Sequence, residues 1–209
     1  MINLLEKKRF HKGISPIRIL PLGYLSVALI GALLLMLPAA SHGEPLSFFD
    51  ALFTAVSASC VTGLVVVDTG THFTLFGQIV VLALIQMGGL GFMTAATLLF
   101  RAARRRISLR NRMTIAESFG EDRLQGIIRL CMRAVKYTFL IEGCGAALLC
   151  IRFVPDFGWR GIWMGVFHSI SAFCNAGFDL MGNFASLTGY VTDPLVNFTI
   201  MALIVFGGL

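Results

Sequence analysis

The sequence predicts an all-α membrane protein made of two copies of one unit: a transmembrane helix, a re-entrant pore helix and a second transmembrane helix. Three observations predict this fold class: few charges, basic residues grouped on one side, and an internal repeat. The 209 residues are 56% hydrophobic and 13% charged, with a mean hydropathy of +0.82. Soluble domains carry about 25% charged residues, so lipid is the expected surround.

Basic residues predict the topology. Most of them fall in three groups: Lys7, Lys8, Arg9, Lys12 and Arg18; Arg101, Arg104, Arg105, Arg106, Arg110 and Arg112; Arg123, Arg129, Arg133 and Lys136. Residues 38–72 contain no lysine or arginine. Because basic loops stay on the cytoplasmic side, we expect the N-terminus and the 101–136 region inside and residues 38–72 outside. Topology explains the arginine run 104–106, so nucleic-acid binding is not favoured.

Four apolar runs are predicted to cross the membrane: Ile17–Leu37, Phe73–Phe100, Cys131–Ile151 and Pro194–Leu209. At about 1.5 Å per residue, the first three are long enough to span a bilayer. The fourth stops in mid-run, so we expect the native protein to continue. The predicted organisation is a basic N-terminus (1–16), a first unit (17–100), a basic linker (101–130) and a second unit (131–209).

A shorter apolar run lies between the spans of each unit, Leu46–Ser59 in the first and Trp159–Phe173 in the second. Both are too short to cross and are flanked by outer loops, which predicts re-entrant helices. Residues 53–63 and 167–177 align without a gap at an offset of 114 and share five of eleven residues. A Gly-Gly-Leu sequence follows in both copies, at 88–90 and 207–209. These matches indicate a repeat.

The segments that follow the two short helices are candidates for binding a cation. A dehydrated cation needs oxygens in place of water, and rings of backbone carbonyls supply them. Glycine permits the necessary non-helical backbone, and a helix C-terminus carries partial negative charge. Thr62 offers a hydroxyl but Ala176 at the matching place does not, which favours carbonyls. The predicted carbonyl ligands are Cys60, Val61, Thr62 and Gly63, and then Cys174, Asn175, Ala176 and Gly177.

The chain resembles the membrane subunit of the bacterial Trk/Ktr potassium uptake family over its whole length, as an N-terminal half. The resemblance lies in the order of elements and in three motifs: Val61-Thr62-Gly63-Leu64, Asn175-Ala176-Gly177-Phe178 and Gly88-Gly89-Leu90-Gly91-Phe92. It implies a potassium-channel-like fold with four units around one pore, of which this chain supplies two. The filters are simpler than Thr-Val-Gly-Tyr-Gly, which implies weaker discrimination against sodium.

The same resemblance implies location, substrate and partners. A multi-pass protein of the inner (plasma) membrane with a cytoplasmic N-terminus is expected, and potassium is the transported ion. No cofactor is expected in this chain. A homodimer of membrane subunits and a cytosolic nucleotide-binding ring are the expected partners. The basic linker is the first place to look for contact with the ring, although a solvated connector is the simpler reading.

Acidic residues have several possible roles. Asp68 and Asp179 follow the two candidate segments and are candidates for the outer mouth, where they would concentrate cations; exposed loop acids are the equal alternative. Asp50 is expected to support the N-terminal end of its helix. Glu142 lies in mid-span, where a charge is costly. Pairing with a basic residue and a role in proton coupling both stay open.

Other residues favour packing over chemistry. Gly88, Gly89 and Gly91 are expected to permit close helix packing, with a hinge as the alternative, and His168 is expected to be a satisfied packing residue. The cysteines predict neither a disulfide framework nor a metal site: Cys60, Cys131, Cys144, Cys150 and Cys174.

Two other functions compete with an ion pore. An ion-coupled secondary transporter would use the re-entrant loops to close a small-solute site, but its paired helices should be inverted, and the charge pattern argues against inversion. A membrane-embedded enzyme would need a clustered catalytic set, and the sequence contains no nucleophile–base constellation or phosphate-binding loop. We therefore do not expect an enzyme.

Overall fold

The computed structural model describes residues 16–91, Thr94 and residues 127–208, and these residues contain helices and no strand. The predicted all-α class is confirmed for this part of the chain. The helices are α1 (Pro16–Leu35), α2 (Phe48–Ser59), α3 (Thr69–His72), α4 (Leu75–Gly89), α5 (Ile127–Phe157), α6 (Trp159–Phe173) and α7 (Pro194–Gly208), with 3-10 turns at Pro38–Ala40 and Ser186–Tyr190. The predictions for the basic N-terminus and for residues 101–126 lie outside the described residues.

Helix lengths differ from the predicted spans in two places. One helix in the described part of the chain is long and apolar enough to cross a membrane alone, over Ile128–Phe157, and α5 exceeds the predicted span at both ends. Helix α4 ends at Gly89, inside the predicted span Phe73–Phe100, of which residues 92–93 and 95–100 lie outside the described part of the chain. The reason is local, because Gly91 has a φ of +77°, which no right-handed helix accommodates.

Helices α2 and α6 each pack against the helices that precede and follow them in their own copy. Helix α2 contacts α1 and α4, and α6 contacts α5 and α7. The two copies meet where α4 packs against α6. Large aromatic side chains fill the shared core, and four of them are almost fully buried: Phe73, Phe153, Phe167 and Phe178.

The outer faces of the long helices are apolar as well. Leu33 on α1, Ile151 on α5 and Phe198 on α7 are each at least 60% exposed in the isolated chain. An apolar core together with apolar outer faces is costly in water. These helices therefore fit a surround of lipid or of further apolar helices.

Candidate ion-binding segments

Local sequence signals set where the two short helices begin. Ser47 caps α2: its Oγ accepts from the Asp50 amide at 3.2 Å and donates to Asp50 Oδ2 at 2.7 Å. The predicted helix-supporting role of Asp50 is thereby confirmed. Helix α6 follows α5 after one residue, Gly158, whose φ of +61° allows the chain to reverse.

The backbone after α2 turns back on the helix end. The amides of Cys60, Val61 and Thr62 donate to carbonyls of the last turns of α2, at N···O distances of 2.8, 3.3 and 2.9 Å. Val61 and Gly63 both have left-handed backbones, with φ of +55° and +73°. The segment Cys60–Gly63 is thus neither helix nor strand, as predicted.

The backbone after α6 repeats this turn. The amides of Cys174, Asn175 and Ala176 donate to carbonyls of α6 at 2.9, 3.0 and 2.8 Å. Asn175 and Gly177 take φ values of +58° and +75°. Each residue matches its counterpart 114 positions earlier, so the repeat seen in the sequence extends to the backbone.

A serine hydroxyl fastens the far end of each segment. Ser57 Oγ donates to the Leu64 carbonyl at 2.6 Å, and Ser171 Oγ donates to the Phe178 carbonyl at the same distance. Because Ser57 Oγ donates its hydrogen to the Leu64 carbonyl, it accepts from the hydroxyl of Thr62, at 2.8 Å. Sequence reasoning missed these serines, although together they form one of the five positions that the two copies share.

The amides and carbonyls of the two segments are used differently. In each segment the first three amides bond to the preceding helix. The eight carbonyls of 60–63 and 174–177 accept no hydrogen bond from the described residues. Such carbonyls stay available to an ion or to water.

The two segments lie side by side. A Cβ atom placed on Gly63 would be 2.5 Å from the Ala176 carbonyl oxygen and 3.5 Å from Gly177 Cα. The structure therefore brings the two predicted groups of ligand residues together. Only a residue without a side chain fits at Gly63, because both its φ and its neighbour require glycine.

Glycines of the following helices let the segments approach. Gly88 of α4 packs against the Ser59 carbonyl at the end of α2, and Gly207 of α7 packs against the Phe173 carbonyl at the end of α6. Gly89 packs against the side chain of Cys174, so α4 of one copy supports the segment of the other. Close packing is confirmed for Gly88 and Gly89.

The two acids beyond the segments organise loops. Asp68 caps α3, and its carboxylate accepts from the amides of Thr71, at 2.9 Å, and Phe184, at 2.6 Å. Burial would raise the pKa of Asp68, but the Phe184 and Thr71 amides outweigh it and hold the pKa below its ordinary value. Asp179 accepts from the Met181 amide and the Ser186 hydroxyl. A role at an outer mouth stays a prediction for both.

Two other polar residues lie behind the segments. His168 bonds through Nδ1 to the Met164 carbonyl at 2.7 Å, and its Nε2 accepts from the Leu180 amide at 3.3 Å, which confirms a satisfied packing residue. Glu142 is 3% exposed, and its carboxyl group bonds to the side-chain amide of Gln86 and to no basic residue of the described ranges. Sequence reasoning missed Gln86, although an isolated polar residue in an apolar run was its signal.

A cavity of about 260 Å³ lies beside the second segment. Polar and apolar side chains of α6, α7 and the intervening loop line it, among them Ser171, Asn175, Asp179, Ser186 and Ile204. The described residues contain no cluster of acids, histidines and cysteines fit for a transition metal.

Two backbone turns with unclaimed carbonyls, inside apolar helices, are typical of membrane proteins that move cations. Comparison with protein families agrees, since the model of the TrkH cation transport protein family matches residues 15–209. The chain belongs to this family.

Curated relatives share between two fifths and half of its residues. The chain is 42% identical to the potassium/sodium uptake protein NtpJ of Enterococcus hirae, over 97% of the chain and 45% of that protein. It is 46% identical to the Ktr system potassium uptake protein B of Bacillus subtilis, over 98% and 46%. It is 47% identical to the protein of the same name from Vibrio alginolyticus, over 97% and 44%. The chain thus spans less than half the length of these relatives.

Proposed function

We propose that this chain is the N-terminal half of a potassium uptake protein and supplies two of four parts of its ion filter. The observation that carries the proposal is the doubled turn, in which the amides bond to a helix end and the carbonyls stay unclaimed. The relatives named above are uptake proteins for potassium, or for potassium and sodium.

The mechanism follows from the backbone. Helices α2 and α6 enter the membrane from the outer side, end near its middle and return through the two segments. Their C-terminal ends direct partial negative charge towards a cation. Carbonyls of Cys60–Gly63 and Cys174–Gly177 replace part of the ion's hydration shell. Two segments enclose half of a ring, and further units of the whole protein close it.

The basic groups predict the orientation of the protein in the membrane, and the membrane potential gives the direction of potassium movement. The N-terminus and the linker face the cytoplasm, whether the cell has a single plasma membrane or an inner and an outer membrane. Potassium then moves inward down its electrochemical gradient, because the membrane potential is negative on the cytoplasmic side and attracts a cation. The acids Asp68 and Asp179 raise the cation concentration at the entrance.

The experiment is uptake by the full-length protein in cells that lack their own potassium uptake. Gly177→Ala places a side chain on a left-handed residue of the filter, and we expect uptake to fall about tenfold, since such strain costs about 1–2 kcal/mol. Gly143→Ala is the matched control, because a Cβ there meets no atom within 4 Å. Equal uptake by both variants contradicts the filter assignment.

A partner is proposed from the name of two relatives, which are proteins of a Ktr system. We propose that the whole protein forms a homodimer and binds a cytosolic nucleotide-binding ring through its basic linker. Charge reversal of Arg104, Arg105 and Arg106 in the full-length protein should abolish co-purification of the ring. Reversal of Lys7 and Lys8 is the control, and unchanged binding by both variants excludes this contact.

A further inference from the structure

A carboxyl group and an amide meet behind the second segment, and each keeps one buried oxygen without a partner. Gln86 Nε2 on α4 donates to Glu142 Oε1 on α5 at 2.9 Å. The other oxygens, Glu142 Oε2 and Gln86 Oε1, are both buried and have no hydrogen bond to the described residues. Buried polar atoms without partners are costly and rare. Both atoms are acceptors, so they can bond to each other only through an added proton.

Among the described residues, the helices around Glu142 bring no cation to it. Helices α4 and α7 carry no ionisable side chain. On α6, Arg160 donates to the Gly70 carbonyl and His168 bonds to Met164. In the described part of the chain, the Cys174 thiol is a titratable group that interacts electrostatically with Glu142, and it is not a cation. A bare carboxylate would therefore be a buried charge without compensation, which is expensive at membrane depth.

The basic residues of α5 itself are also remote. Lys136 lies six residues before Glu142, about 9 Å along the helix. Arg152 lies ten residues after it and pairs with Asp156 and Asp193. Ser169 on α6 donates its hydroxyl to the Glu142 backbone carbonyl at 2.7 Å, so it leaves the carboxyl group unsatisfied.

We propose that Glu142 is a neutral carboxylic acid that forms a two-bond ring with the Gln86 amide. Gln86 Nε2–H donates to Glu142 Oε1, and Glu142 Oε2–H donates to Gln86 Oε1. A carboxylic acid and a primary amide are both planar and present a donor beside an acceptor, so they match each other. One bound proton then satisfies both oxygens that otherwise lack a partner.

The pair clamps the two copies together beside the candidate filter. Gln86 lies one turn before Gly89, which packs against the side chain of Cys174, the first residue of the second segment. Glu142 is also tied to α6 through Ser169. Glu142 and Gln86 are thus positioning residues that hold the end of α4 against the second segment. This positioning role rests on the proposed function, whereas the protonation of Glu142 does not.

Infrared spectroscopy of the full-length protein tests the protonation at neutral pH. The difference spectrum between wild type and Glu142→Gln should contain the carbonyl-stretch band of a protonated acid. Loss of carboxylate bands in the variant instead would overturn the proposal, because it would show that Glu142 is charged. The readout needs no transport, so it stands even if the protein moves another ion.

Uptake by variants tests the positioning role. Glu142→Gln builds an amide–amide ring with the same two bonds, so uptake should stay within about twofold of wild type. Gln86→Leu leaves the acid unpaired, and uptake should fall about tenfold. The exchanged double variant Gln86→Glu with Glu142→Gln restores an acid–amide pair and should recover uptake.

Two outcomes overturn this role. If Glu142→Gln abolishes uptake at normal expression, a charge or a transferable proton at this position is required. If Gln86→Leu transports like wild type, the pair does not position the segment. If wild type itself transports no potassium, the proposed function fails, and the infrared result still decides the protonation.

Discussion

The two candidate segments build one backbone from different side chains. Val61 and Asn175 have matching left-handed φ values, although one is β-branched and the other is polar. Thr62 and Ala176 donate equivalent amide hydrogen bonds, although only one has a hydroxyl group. Three residues of the turn are the same in both copies: the serine that holds the far carbonyl, the cysteine that begins the segment and the glycine that ends it. The comparison teaches that the same turn forms although the two residues between that cysteine and that glycine differ.

The loops beyond the segments diverge. In the second copy, His168 holds the Leu180 amide, and Leu180 is 1% exposed. In the first copy, the counterpart of His168 is Thr54, whose hydroxyl bonds within its own helix to Asp50. The counterpart of Leu180 is Val66, which is 44% exposed. The copies are therefore alike where an ion would pass and different where their surroundings differ.

Substitution of Gly63 and Gly177, the glycines of the two candidate segments, should give the largest effects on uptake and should differ between the copies. Gly63→Ala combines left-handed strain with a Cβ 2.5 Å from the Ala176 carbonyl, whereas the nearest atom to a Cβ on Gly177 is 3.8 Å away. We expect uptake by the full-length protein to fall at least about a hundredfold for Gly63→Ala and about tenfold for Gly177→Ala, since 1.4 kcal/mol is a factor of ten.

Expression levels and melting temperatures are compared alongside uptake. Equal losses would indicate that a unit outside this chain crowds Gly177 as Ala176 crowds Gly63. Normal uptake by Gly63→Ala would exclude the first segment from the ion path.

The two serines give the next largest effect. Ser57→Ala and Ser171→Ala each release a carbonyl held at 2.6 Å, and Ser57→Ala also leaves the Thr62 hydroxyl without its acceptor. We expect the free energy of unfolding to fall by about 2 kcal/mol for Ser57→Ala and by about 1 kcal/mol for Ser171→Ala. We also expect both variants to have a lower ratio of potassium to sodium uptake, with the larger decrease in Ser57→Ala. Ser59→Ala is the control, because its hydroxyl bonds within α2. An unchanged potassium-to-sodium ratio in both variants would show that the two serines do not affect ion selectivity.

Much of this arrangement could be predicted from sequence because it is local. The bounds of α6, Trp159–Phe173, match the prediction, since an apolar run and Gly158 define them. The glycines at 63 and 177 were predicted from the repeat, and both take left-handed backbones. Apolar runs and an internal repeat are properties of the sequence itself, so they can be read from one chain without knowing which residues contact each other.

The rest depends on contacts between distant residues. The Gln86–Glu142 pair joins residues 56 positions apart, and the Asp68–Phe184 bond joins residues 116 positions apart. The end of α4 falls beside the left-handed Gly91, one of the glycines for which the sequence left a hinge open as the alternative to packing. A single sequence without relatives reveals that such residues are unusual but not what they contact.

Asp68 should make the folding stability of the first copy depend on pH in a way that the second copy does not share. Its position corresponds to Gly182 in the second copy, so its bond to the Phe184 amide has no counterpart. Its lowered pKa means that the ionised form stabilises the fold above the ordinary value of 3.8, and that this stability is lost as the pH falls below that value through the folded pKa. Asp68→Asn should cost about 1 kcal/mol near neutral pH.

The measurement is thermal unfolding of full-length protein in detergent at several pH values. The difference between wild type and Asp68→Asn should shrink once the pH is below about 3.8. A difference that does not depend on pH would show that the carboxylate charge contributes nothing to the loop.

The smallest expected effect is a gain in stability. Val61 is β-branched and has a φ of +55°, a conformation that such residues rarely adopt, whereas its counterpart Asn175 tolerates it. Val61→Asn should therefore stabilise the full-length protein by up to about 1 kcal/mol, and Asn175→Val should destabilise it by a similar amount. Thermal unfolding measures both, and a loss of stability in Val61→Asn would contradict the strain. Because the carbonyls carry the proposed function and the side chains do not, potassium uptake by Val61→Asn should stay at the wild-type level, and a fall in uptake would show that the side chain of Val61 itself contributes to the ion path.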